Sequence, residues 1–232
     1  MTHPAVRDLF QAFANGDGLQ QIVRGLGANK HQSLSGLTLT AKALYTVLLW
    51  KITGRPMIVV TDGAKEAELL LEAVRTFFDI IAGGQQLQEP QIVPALDVLP
   101  SQGLSPHSEI SAQRAVGLWR MASRRATITI TPIGGALART YAAAQYKNLA
   151  LELRTAEDIA MEDLAEHLRH IGYEQREPVE MVGEFSVRGG IIDIFPAESE
   201  KPIRIELFGD TIEEMRRFDV QTQRSVLKVT SA

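Results

Sequence analysis

The chain of 232 residues contains no cysteine. That excludes disulfides, thiolate metal sites and cysteine nucleophiles, and it fits a cytoplasmic protein. No apolar run approaches the ~18 uninterrupted residues that a membrane span requires, so no membrane partner is expected. The amino-terminal MTHPAVRDLF has neither a basic n-region nor an apolar h-region, which argues against a secretory signal. The five histidines form no metal constellation. His167 and His170 lie three apart on a predicted helix with Asp163 four residues before His167, but a second pair of ligands is missing. No metal and no cofactor is expected. Ser105, His107, Ser108 and Glu109 include the residue types of a hydrolytic triad, yet neighbours on one short loop are poorly placed to converge in space. They read as a turn and a helix start, with Ser108 as the N-cap before Glu109.

What is present is an ordinary globular composition, 45% hydrophobic and 22% charged, in a length that suits one large domain or two ordinary ones. The charge is unevenly spread. Residues 1–145 carry 13 Lys+Arg against 10 Asp+Glu, and residues 146–232 carry 11 against 18. The second part is therefore a poor phosphate-binding surface, because that requires clustered cations.

Along the chain, residues 4–26 read as two short helices broken at Asn15-Gly-Asp-Gly and closed by a glycine cap near Gly25-Leu-Gly27. A strand at 31–34, a helix at 41–52, a buried strand at 57–61, a helix at 64–78, a strand at 91–95, a helix at 109–122, a strand at 127–131 and a further helix after Pro132 follow. Apolar strands alternating with helices argue for a parallel sheet covered on both faces. Residues 1–145 are expected to form a doubly wound α/β domain.

The first strand-to-helix loop is where such folds hold phosphate on backbone amides. Here it runs from Gly36 to Ala43. Gly36 and Lys42 stand at the separation of a GxxxxGK[ST] loop, but the second glycine is replaced by Ala41 and the metal-binding hydroxyl by Ala43. The motif reads as a degenerate remnant at a helix start. The chemical alternative is a nucleotide-binding domain using Lys42. Another is DNA contact through the basic first domain near Arg120, Arg124 and Arg125, residues that otherwise complement a helix dipole.

After residue 145 the pattern changes to a small α+β domain, expected over 146–232. A strand at 149–153 leads through a capping-box-like Thr155-Ala-Glu-Asp into a helix with Met161, Leu164, Leu168 and Ile171 on one stripe, closed by Gly172. Residues 183–218 then read as two β-hairpins, turning at Gly189-Gly190 and Gly209-Asp210. Phe185, Val187, Ile192, Ile194, Ile203, Ile205 and Leu207 alternate with Ser186, Arg188, Asp193, Phe195, Arg204, Glu206 and Phe208. A period of two sends the first set to a core and puts Arg188, Arg204 and Glu206 outward on neighbouring strands. Guanidinium groups rooted on a sheet suit bidentate capture of a partner's carboxylates; the plainer alternative is solvated cross-strand charge. Aromatic residues in alternating strands usually pack inside, and of Phe185 and Phe208 one is expected to border the docking face.

The motifs GEFSVRGGIIDIFP, PIRIELFGDTIEEMRRFD, LDVLPSQGLSPHSEISAQR and ITPIGGAL, with Gly172-Tyr173, cover nearly the whole chain. They resemble the N-terminal segment of the bacterial transcription-repair coupling factors, which shares its first domain (1a) and second domain (2) with the excision-repair protein UvrB. UvrB-like chains keep an intact phosphate loop where this one has Gly36, Ala41, Lys42 and Ala43, so the resemblance favours the coupling factors. It implies a non-catalytic module whose second domain binds UvrA. Full-length relatives are ATP-driven translocases on double-stranded DNA that act on stalled RNA polymerase and mask this surface with their own C-terminal part. It carries the UvrB arginine of the VRG hairpin onto Arg188 and the arginine and glutamate of the next strand onto Arg204 and Glu206. A further UvrB arginine is replaced by Ser186, and Arg176 and Phe185 complete the candidate contact set.

Overall fold

A computed structural model describes residues 4–82, 89–98 and 100–232. The first three residues of the amino-terminal stretch read above, and Leu99 of the LDVLPSQGLSPHSEISAQR motif, lie outside that range. The chain divides into two compact units, Met1–Leu96 with Arg120–Thr140, and Asp97–Trp119 with Tyr141–Ala232.

The first unit opens with α1 (Pro4–Asn15) and α2 (Asp17–Gly27), separated by Gly16 as its extended backbone requires. Gly27 remains helical, and the left-handed residue beyond is Asn29 at φ 55° instead of a glycine. The strand expected at 31–34 does not form, and residues 29–38 carry no strand. Helix α3 (Leu39–Thr53) ends on Gly54 at φ 64°, a left-handed cap in which the Gly54 amide donates to the Trp50 carbonyl. Then come β1 (Met57–Thr61), α4 (Ala64–Ala82), β2 (Gln91–Ile92), β3 (Ile128–Pro132) and α6 (Ile133–Leu137), while α5 (Ser108–Ala122), between β2 and β3 in the chain, lies mostly in the second unit. The three strands are parallel in the order β1-β3-β2.

The core joins Val47 and Trp50 of α3 to Leu70, Val74 and Phe78 of α4 and to Ile128 and Ile130 of β3. Every residue of β3 is buried, as a central parallel strand should be. Edge strand β1 differs, because Ile58 and Val60 are exposed. Gly135 makes the close passage of α6 possible, since a Cβ there would fall 2.6 Å from Thr131 Oγ1 and 3.1 Å from the Pro94 carbonyl.

In the second unit Glu109 N donates to His107 Nδ1 at 3.4 Å, so His107 supplies the acceptor at the start of α5 that was assigned to Ser108. The strand expected at 149–153 is instead the end of α7 (Ala143–Leu149) and an extended segment whose Leu153 exchanges backbone bonds with Ala232. Helix α8 (Met161–His170) begins later than the capping-box reading placed it. Residues 154–157 form a turn in which Glu157 accepts from the Arg154 amide, and Asp158 accepts from Thr211. Gly172 at φ 98° closes α8 as expected.

A six-stranded sheet follows: β4 (Glu174–Gln175), β5 (Glu184–Arg188), β6 (Ile191–Ile194), β7 (Ile203–Phe208), β8 (Thr211–Phe218) and β9 (Ser225–Val229), paired in sequence order. Only the β4–β5 pair is parallel. Leu164, Ala165 and Leu168 of α8 cover one face through Phe185, Ile192, Ile194, Ile203, Ile205, Ile212 and Met215. The two hairpin turns are where the pattern put them, with Gly189 and Gly209 at φ 59° and 60°.

Candidate functional site

The face of this sheet opposite α8 was expected to be solvated, and half of it is not. Ser186, Asp193 and Phe195 are all buried. Phe195 and Phe218 pack with Val179, and Val182 and Val220 lean on them, so residues flanking the strands fold over this end of the sheet and remove it from water.

Within that cover sits Asp193, whose carboxylate is 2% exposed. Strand pairing sets Ser186, Asp193, Arg204 and Arg216 side by side across β5 to β8. Arg204 donates twice to Asp193, Nε to Oδ1 at 2.7 Å and Nη2 to Oδ2 at 2.8 Å. Arg188 donates from Nη2 to the same Oδ2 at 2.7 Å. A buried carboxylate needs its acceptor positions filled, and three donors fill them here. Arg204 also lies 4.7 Å from the centroid of the Phe218 ring and points Nη1 to the Gln223 carbonyl at 3.5 Å. Its hydrogen bond to Asp193 pushes its pKa above the ordinary arginine value.

The row nearer the turns is open. Arg188, Ile191, Glu206 and Glu214 are register neighbours across β5 to β8. Glu206 faces Arg216 Nη1 at 3.6 Å. Glu214 is held by Arg216 and by Lys228 Nζ at 2.8 Å, hydrogen bonds that bring its pKa down to about 2. Beyond Glu206, past a bulge that keeps the alternation of faces, Phe208 stands 77% exposed. The side chain of Arg188 is 44% exposed and that of Arg204 17%.

The candidate contacts therefore separate. Arg188 and Glu206 meet in one exposed row, and Arg204 is engaged inward. Arg176, on the segment after β4, is exposed and tied to Glu174 at 3.0 Å. Phe185 is fully buried beneath α8 and offers a partner no surface. The aromatic residue bordering the face is Phe208. The alternation of β7 already placed Phe208 with Arg204 and Glu206, and only the general habit of aromatics to pack inside obscured it. Asp193 was read as one more outward residue. The signal available for it was its position between Ile192 and Ile194, directly across from an arginine on the next strand.

At the degenerate loop, Gly36 adopts φ 73° with open space around it. The Thr38 hydroxyl accepts from the Ala41 amide at 3.3 Å, so a phosphate would compete with an existing cap. Lys42 Nζ meets Glu66 at 3.3 Å, and Ala43 is buried in the core. Arg120, Arg124 and Arg125 lie where α5 ends, Arg124 taking φ 58°. Among the described residues no cluster of His, Asp or Glu has metal-binding geometry, and no helix is long and apolar enough to cross a membrane.

Residues 151–232 match the family model described as the UvrB interaction domain. The chain is 29% identical over 216 residues to the transcription-repair-coupling factor of Bacillus subtilis (strain 168), covering 93% of this chain and 18% of that protein. It is 30% identical over 192 residues to the transcription-repair-coupling factor of Staphylococcus aureus (strain MRSA252), covering 83% and 16%. The chain thus spans less than a fifth of the length of these relatives.

Proposed function

Because residues 151–232 match the family model of the UvrB interaction domain, we propose that the chain is a protein-docking module that recruits UvrA, with no chemistry of its own. In the setting of transcription-repair coupling it brings the excision machinery to RNA polymerase stalled at DNA damage. The docking surface is the open row of the β5–β8 sheet in the second unit, and the first unit is a structural α/β domain.

The observation that carries this reading is Phe208, a large ring 77% exposed on the same face as Arg188 and Glu206. Exposed aromatic residues beside an arginine with free donors are the usual makings of a binding hot spot. A solvated charge ladder has no use for the ring. The reading also accounts for the first unit, where Lys42 and the Ala41 amide at the start of α3 already have partners. Contacts with RNA polymerase and double-stranded DNA fall to other segments of full-length relatives, whose C-terminal part masks the row until it is needed.

The test is calorimetric titration with purified UvrA, using wild type, Phe208→Ala and Arg188→Ala, with a thermal scan of each. Truncating an interface anchor costs about 2 kcal/mol or more of binding, whereas an exposed side chain contributes within ~0.5 kcal/mol to folding. Binding lost in both variants, with Phe208→Ala melting like wild type, supports the surface. Equal binding by all three proteins rejects it.

A further inference from the structure

We infer that Asp193 is the positioning residue of the docking row, and that Arg204 acts on a partner only through Asp193, leaving Arg188 as the guanidinium that touches the partner. The inference rests on the UvrA-docking reading above.

The two arginines look equivalent in sequence, each outward on the first strand of its own hairpin. In the structure they are not. Arg204 commits Nε and Nη2 to Asp193, holds its guanidinium carbon over the Phe218 ring and directs Nη1 to a backbone carbonyl. Its side edge, Nε and Nη2, is spent inside the protein, and with the side chain only 17% exposed the remaining N–H groups offer little access to a second carboxylate arriving from a partner. Arg188 commits one nitrogen to Asp193 Oδ2 and keeps its other donors at the exposed row. Glu177 lies 3.7 Å from Nη1, beyond hydrogen-bond distance.

A single buried carboxylate thus binds two guanidinium groups rooted on the strands at either side of it, and the second positive charge is met only by the exposed carboxylate of Glu177, 3.7 Å from Arg188 Nη1. That second charge is presented by Arg188. Asp193 fixes the inner edge of the Arg188 guanidinium and so aims the remaining edge outward. Holding a flexible side chain in its bound geometry lowers the entropic cost of association. Arg204 supplies the two bonds that keep the carboxylate in place. The ligand chemistry that fits is a planar anion on the partner, a carboxylate side chain above all, received beside the Phe208 ring.

The deciding experiment is a pair of double-mutant cycles on UvrA binding: Arg188→Ala, Arg204→Gln and Asp193→Asn singly, then each of the last two combined with Arg188→Ala. If Arg204 and Asp193 act through Arg188, each weakens binding about tenfold alone and by less than about twofold once Arg188 is gone. A further tenfold loss from Arg204→Gln in the Arg188→Ala background means that Arg204 touches UvrA, and overturns the inference while the docking reading stands. Failure of wild type to bind overturns both. Should the Asp193 variant not fold, the Arg204 cycle decides. Solvent exchange of the arginine Nε–H groups in wild type is an independent check: Arg204 is expected to exchange at least about tenfold more slowly than Arg188. Equal rates would show that Asp193 does not hold Arg204, and would equally overturn the inference.

Discussion

The guanidinium of Arg204 lies 4.7 Å from the centre of the Phe218 ring, a side chain with no exposed surface, while the edge of the same group is bonded to Asp193. Ring and carboxylate together hold Arg204 in one orientation. Phe218→Ala is therefore expected to do more than leave a cavity. Large-to-small changes at buried aromatic sites cost about 3 to 5 kcal/mol, and here the cation–π contact with Arg204 is lost too. Urea unfolding should show that loss, with Phe218→Leu milder because it refills most of the volume.

The hairpin turn at Gly189-Gly190 makes two separable demands. Gly189 sits at φ 59°, where a side chain costs roughly 1 to 2 kcal/mol from backbone strain. Gly190 has an ordinary φ, yet a Cβ there would lie 2.8 Å from the Leu207 carbonyl, whose own amide donates back to Gly190. Gly190→Ala should force β5–β6 and β7 apart, with a cost of about 1 to 3 kcal/mol as in other overpacked sites. Amide chemical shifts would distinguish the two, since the Gly190 variant alone should disturb Leu207 and Phe208.

Lys42 and Glu66 form a half-exposed pair at 3.3 Å. Such pairs contribute about 0 to 1 kcal/mol, so Glu66→Gln is expected to leave the melting temperature nearly unchanged. The same variant frees the lysine ammonium, and thermal scans with and without ATP would show whether a phosphate site emerges. We expect no shift in either protein, because Ala41, Ala43 and the Thr38 cap remain. A shift on adding ATP to wild type would revive the nucleotide-binding alternative.

Glu214 gives the sheet a dependence on pH. Its pKa is lowered from an ordinary 4.5 to about 2 by hydrogen bonds from Arg216 and Lys228. A depressed carboxylate contributes stability that is complete above its unfolded-state pKa and lost as pH falls through the folded one. The stability of the second unit should therefore decline between about pH 4.5 and 2. Glu214→Gln should flatten this part of the curve, as melting temperature measured across that range would reveal.

Much of this architecture is readable from period and punctuation. The hairpins were legible because side chains alternate strictly and glycines stand where positive φ is needed, and α3, α4 and β3 because long apolar patterns outweigh local detail. The strands expected at 31–34 and 149–153 failed for one reason: short runs of strand-like residues carry no information on whether a neighbour exists to pair with. Strand β9 was missed conversely, as Ser225–Val229 becomes a strand by pairing with β8. At the site, alternation correctly set Asp193 apart from the core beneath α8. It could not show that Val179, Val182 and Val220 would cover that face, since they come from segments with no pattern of their own. Hence two arginines that sequence treats alike divide into an inward and an outward one.

Edge strand β1 has a practical corollary. Among the described residues one long side of it has no strand beside it, and Ile58 and Val60 project into water from its surface. Unprotected edges of this kind invite pairing between molecules. Concentrated stocks of the polypeptide should thus scatter light increasingly with time, and a lysine at position 58 should keep them clear. Storage and assay conditions would then be chosen around this strand, far in sequence from the residues meant to meet a partner.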